Sequence, residues 1–239
     1  MSAAEIVYCC VVLLLAYSLR GSSGFGAVIG MPLLALVIPV KILAPAWTLL
    51  GIASSLAILG KDRAYVAKRP FIAFLPWCAL GIAIGLFFFK TLDAVVLARA
   101  FGVLILVYAV YSMLQIRAPL PASILRPAAS TLSGLIGTMF GAMATIGFAM
   151  YLNAHGLEKH AFRATISAML LALSVVRAIA YASVDEFSAE SIAVFVAALP
   201  AMALGIWAGG RLHAKISETA FKRLVCGILV LCAIPLLLK

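Results

Sequence analysis

At 239 residues the chain is of one- or two-domain size. However, 66% hydrophobic and 11% charged residues leave too little polar surface to cover a water-soluble globule, where about 45–50% and about 25% are usual. A mean hydropathy of +1.20 excludes a soluble enzyme, a disordered chain and a nucleic-acid-binding domain, and the net charge of +10 sits in basic loops between apolar runs.

The predicted elements follow in chain order. Residues 3–40 are too long for one span of about 20 residues, and GSSGFG (21–26) breaks them. Long spans are expected at 42–60, 70–90 and 95–116. Residues 127–154 are interrupted again, around Gly137, Gly141 and Gly147. Further spans are expected at 162–183, 190–211 and 219–238. The halves of the two broken stretches are about 13–17 residues each, roughly 20–25 Å, so each stretch reads as a pair of short helices meeting at glycines. The first apolar run follows Glu5 rather than basic residues and lacks a small-residue cleavage site, so no cleaved signal is expected. The cysteines (9, 10, 78, 226 and 232) lie in apolar runs without metal spacing and read as packing residues. No metal and no cofactor is expected.

The two halves resemble each other. LPWCALGIAIG (75–85) matches LPAMALGIWAG (199–209), and the match runs without a gap from Leu75–Leu114 onto Leu199–Leu238. It contains ten identities, with Pro and Gly positions and Arg99/Arg223 among them. Upstream, Phe25-Gly26 aligns with Phe140-Gly141 and Thr48 with Thr165 across small gaps. Each half is thus a broken pair followed by three long helices, with repeats at 1–117 and 118–239. Duplication with interrupted helices in matching positions is a mark of secondary transporters. If each broken pair returns to its starting side, loops 61–69, 117–126, 155–163 and 211–223 share one side and hold twelve Lys and Arg, against four opposite. The positive-inside rule favours that arrangement. It gives each half an odd number of crossings, which makes the repeats inverted.

Backbone freed at a break inside the membrane is tolerated only where protein or a watery cavity satisfies it. A helix starting there presents unpaired N–H groups and a positive dipole end. Ser22, Ser23, Gly24 and Gly26 at the first break, and Gly141 and Thr145 at the second, therefore read as lining an anion site, with Thr138 nearby and with Thr48 and Thr165 behind them. The competing explanation is that small residues merely allow close helix packing. Arg163, in FRAT (162–165), is expected to lend positive field at the cavity mouth. Arg177 reads as snorkelling or pairing with Asp185, and Arg20 as either near the ligand or interfacial. No carboxylate lies centrally in a long span, which argues against a carboxylate proton relay. His155 and His160, beside the second break, are the candidates for proton coupling.

GSSG (21–24) with AHG (154–156) admits a rhomboid-like intramembrane serine protease. Ser23 and His155 are 132 residues apart with at least three spans between them, so a non-enzyme is preferred. A passive anion channel or a membrane scaffold would also fit this composition.

GSSGFGAVIGMP, followed by the RPF…LP…LGI.IG helix, resembles the first half of the TauE/SafE family, the sulfite exporter or 4-toluene sulfonate uptake permease group. FGAMATIGFAMYLNAHGLEKHAFRAT resembles that family's second glycine motif with its F-R-A-T element. This chain has Ser22, Ser23 and Phe25 where the first motif is a run of glycines, and Ala144-Thr145-Ile146 where the second ends in Gly-Gly-Pro. The resemblance covers nearly the whole chain. It implies a multi-pass protein of a prokaryotic cytoplasmic (inner) membrane that moves sulfite, sulfoacetate or a related sulfonate. The expected partners are a small anion and the lipid bilayer, with a homodimer left open.

Overall fold

A computed structural model describes residues 3–23, 27–114, 122–153, 155–211 and 218–238. These form ten α-helices: α1 Ala3–Ser23, α2 Ala27–Leu34, α3 Val40–Asp62, α4 Lys68–Thr91, α5 Ala94–Leu114, α6 Ala122–Phe140, α7 Ala144–Asn153, α8 Lys159–Ser183, α9 Ala189–Arg211 and α10 Glu218–Leu238. A 3-10 turn at Arg63–Tyr65 follows α3, and no strand occurs among the described residues. Five helices (α3, α4, α5, α8 and α9) are long and apolar enough to cross a membrane. The chain is an all-α polytopic membrane protein. Large side chains such as Phe87, Trp207 and Leu231 stand exposed on the outside, where hydrocarbon rather than water is their natural solvent.

The ends of the elements have local causes. Pro39, with no N–H to give, ends the turns after α2 and leads into α3. The Asp93 carboxylate accepts the Val96 N–H at 2.8 Å and caps α5. Ser188 accepts the Ser191 N–H at 3.1 Å and caps α9.

The broken stretches differ from the expectation of two short halves of about 13–17 residues each. α1 has 21 residues and α6 has 19, whereas α2 has eight and α7 has ten. At 1.5 Å per residue the short members reach only about 12 and 15 Å. Each break therefore joins a full-length helix to a half-length one. No proline interrupts Ala3–Ser23, so α1 runs through Gly21 to Ser23; a single helical glycine costs only about 1 kcal/mol.

The repeated LGI…G segments have the same job in both halves. α4 lies along α6, and α9 lies along α1. A Cβ on Gly81 would overlap the Thr131 carbonyl oxygen, and one on Gly85 would come within 2.7 Å of the Leu135 oxygen. In the second half a Cβ on Gly205 would come within 2.9 Å of the Leu14 oxygen, and one on Gly209 would overlap Ser18. Small residues are what let the backbones come this close.

The third helices of the two halves, α3 and α8, cross at the centre. Asp62 meets Arg163, Gly51 faces Ser174 and Ala44 meets Arg177, so the two run antiparallel. The fifth helices, α5 and α10, also run antiparallel: Gly102 faces Ala233 and Leu236, while Tyr108 lies beside Cys226. The surrounding core is aromatic, with Phe101 on Phe140 at 5.0 Å and Phe74 edge-on to Phe148 at 4.7 Å.

Candidate anion site

The site starts at the second break. α6 stops at Phe140, and Gly141 turns left-handed with φ +73 while its N–H donates to the Gly137 carbonyl at 2.9 Å. A Cβ here would lie 3.2 Å from Ala44 Cα and 3.3 Å from Trp47 Cβ, so glycine is needed for both conformation and space. Met143 is also left-handed, φ +68, and is buried. A side chain held at such a φ is a local strain that the surroundings must enforce. The chain then re-enters a helix at Ala144-Thr145. Within the first turn of α7 the Ile146 N–H donates back to the Met143 carbonyl at 3.1 Å, and the helix start carries the positive end of its dipole.

Two arginines face this helix start. Arg177 of α8 donates to the Thr48 hydroxyl at 2.6 Å and makes longer contacts with the carbonyls of Ala44 (3.4 Å) and Gly141 (3.5 Å). Thr48 can accept because its own proton goes to the Ala44 carbonyl at 2.9 Å. Arg20 of α1 donates to the Ser55 hydroxyl at 2.9 Å. Both residues are buried, at 3% and 2% exposure for Arg20 and Arg177, and the Nε of each has no hydrogen-bond partner. Arg177 lies 5.7 Å from the Tyr181 ring centre. No carboxylate among the described residues pairs with either arginine, so neither guanidinium has an anionic partner among them. Burying such charges is costly unless something neutralises them.

Between them lies a small cavity. Its walls are Arg20, Trp47, Gly51, residues 141–145, Leu170, Leu173, Ser174 and Arg177. The 5.8 Å ring contact of Trp47 with Tyr17 fixes one wall. The cavity measures about 20 Å³, room for one water, so the geometry is closed to an oxyanion and must widen to admit one.

The structure brings Gly141 and Thr145 to this cavity and places Thr48 one hydrogen bond behind it. Ser22 and Ser23 are the last residues of α1, and Gly24 and Gly26 lie outside the described residues. Arg163 and Thr165 are elsewhere. Arg163 clamps Asp62 at 2.6 and 3.0 Å, and the Thr165 hydroxyl accepts the Ala67 N–H at 2.9 Å. Together they tie the α3–α4 connection to the start of α8. His155 is exposed, its Nδ1 2.9 Å from the Tyr151 carbonyl, and His160 is exposed beside the Tyr65 ring. Neither lines the cavity. Thr138 donates to the Gly134 carbonyl, and its own carbonyl accepts from Tyr181.

Arg177 is the main difference from the sequence reading. It bonds to α3 and not to Asp185, because α3 brings a hydroxyl and a carbonyl to it across the helix crossing. A signal for both arginines lies in their position: Arg177 interrupts the apolar run 162–183, and Arg20 immediately precedes GSSGFG. Ser55 and Ser174 give no signal of their own.

A family model described as Sulfite exporter TauE/SafE matches residues 9–236. Comparison with curated proteins and with solved structures gives no match.

Proposed function

The chain belongs to the TauE/SafE sulfite exporter family, matched over nearly its whole length, and from that premise we propose that it is a secondary transporter of sulfite or a related small sulfonate such as sulfoacetate. Membership makes it a multi-pass membrane protein of an anion-transporting family. In the proposed reading it sits in the cytoplasmic membrane of a prokaryote and catalyses no covalent chemistry. One observation carries the site: two buried guanidiniums with no anionic partner among the described residues and the start of α7 converge on a single cavity. Arg20 and Arg177 supply charge, Thr48 holds Arg177 in place, and Gly141 and Thr145 offer backbone and hydroxyl donors. Ser22, Ser23, Gly24 and Gly26 would supply the matching donors from the first break. Arg163 and Thr165 fasten the α3–α4 connection, and His155 and His160 carry no step.

The proposed mechanism is alternating access by inverted repeats, divided at 117/118. The antiparallel runs of α3 against α8 and of α5 against α10 support inversion, since these are matching members of the two halves. An asymmetry supports the alternation. α10 packs on α2, whereas the matching pair, α5 and α7, borders an apolar cavity of about 260 Å³ with α6. Exchanging those two arrangements would exchange the open side.

The test is flux in proteoliposomes holding labelled sulfite. Saturable flux that accelerates when unlabelled sulfite is present on the far side is the expected outcome. Flux that never saturates would replace the carrier with a channel, and no flux of any sulfur oxyanion would overturn the reading.

A further inference from the structure

We infer that the cavity between Arg20 and Arg177 selects doubly charged oxyanions over singly charged ones. The inference rests on the anion-transport reading above and specifies its substrate class. Arg20 is anchored on Ser55 and Arg177 on Thr48. Those hydroxyls are seven residues apart on α3, about 10 Å along its axis and on nearly the same face. Gly51 lies between them, on the cavity wall. Each arginine thus spends one amino group on α3 and keeps a buried Nε–H unpaired. Once the cavity widens, a single oxyanion between the two arginines would take charge-assisted bonds of about 2.7–2.9 Å from each.

Charge then decides which anion. Ionisable groups beside these guanidiniums include Tyr17 on Arg20, and Cys78 and Tyr181 on Arg177, all neutral in their ordinary forms. The Glu186 N–H donates to the Tyr181 carbonyl, and its carboxylate forms no ion pair with Arg177. No described carboxylate pairs with either arginine. A monoanion would leave one positive charge buried without a counter-charge. A dianion neutralises both, and it does so where the low dielectric makes that neutralisation worth most. Sulfite, which loses its second proton near neutral pH, satisfies the site as the dianion; a simple alkyl sulfonate carries one charge and does not.

The test uses two anions of nearly one shape. Methylphosphonate carries two charges in alkaline buffer, and methanesulfonate carries one. Binding of each to the purified full-length protein in detergent is measured by calorimetry at the same alkaline pH. The inference expects methylphosphonate to bind at least tenfold more tightly. It expects Arg177→Gln and Arg20→Gln each to abolish that preference, and Arg177→Lys, which keeps the charge, to retain most of it. Equal affinity of the wild type for the two anions would overturn the inference while leaving sulfite flux and the proposed function in place. A dianion preference in a protein that moves no sulfite would do the reverse.

Discussion

Gly141 shows how one residue sets the geometry of the site. Its φ of +73 turns the chain out of α6, and its missing side chain lets the break sit against Ala44 and Trp47. Gly141→Ala adds a left-handed penalty of about 1–2 kcal/mol and a contact with backbone that cannot move aside. The expected result is a fall in thermal stability in detergent and weaker sulfite binding. Gly156→Ala, at φ +60 but in open space, should carry the conformational cost without the loss of binding. At this scale the lining of the candidate site is partly legible in the sequence. Gly141 and Thr145 stand out as a glycine break inside an apolar run, and Thr48 as a hydroxyl matched between halves. The partners of Arg177 are not legible, because Asp185 lies eight residues away in sequence while the groups it bonds on α3 are more than 120 away. The partner of Arg163 is hidden for the same reason: nothing near it in sequence reveals Asp62, 101 positions back.

At the scale of elements, the glycines of the repeated segment fix how α4 meets α6 and how α9 meets α1. Gly81→Ala and Gly209→Ala push a methyl into backbone, which forces the helices apart and costs about 1–3 kcal/mol. Gly60→Ala, with nothing within 4 Å, should instead be neutral or stabilising by up to about 1 kcal/mol. Unfolding of the three variants in detergent separates these outcomes, and equal stabilities would remove close packing as the reason for the repeat. The long helices are legible because an apolar run of membrane length fixes its own boundaries to within a few residues: the sequence places a span at 162–183 where α8 covers Lys159–Ser183, and at 190–211 where α9 covers Ala189–Arg211. The division within the broken stretches is not legible. At the second break the freed Gly141 carbonyl has its contact from Arg177 of α8, and no local pattern encodes that.

For the whole molecule, the proposed mechanism rests on a difference between α10 against α2 and α5 against α7. The apolar cavity beside α5 reaches Ile146 and Met143 of the second break, and Met143 also borders the cavity between Arg20 and Arg177. If α5 closes on α7 during transport, bulk in that space must obstruct the movement. Ile146→Trp is therefore expected to cut the maximal sulfite flux severalfold while leaving sulfite affinity and thermal stability close to wild type. Unchanged flux would remove this cavity from the transport cycle. The duplication is legible in the matched Pro and Gly positions, and loop charge argues for its inverted sense. The contact of α10 with α2 and the cavity beside α5 and α7 are not legible, since they belong to one conformation.

The most direct measurement compares sulfite flux in proteoliposomes for the wild type, Arg177→Gln and Arg163→Gln at matched protein incorporation. The account predicts that Arg177→Gln, which removes charge from the cavity, loses at least tenfold in transport efficiency. It predicts that Arg163→Gln, which breaks a partly exposed ion pair worth about 1 kcal/mol or less, stays within about twofold of the wild type. The reverse order, with transport surviving the loss of Arg177 and failing with Arg163, would move the anion site from the helix crossing to the start of α8.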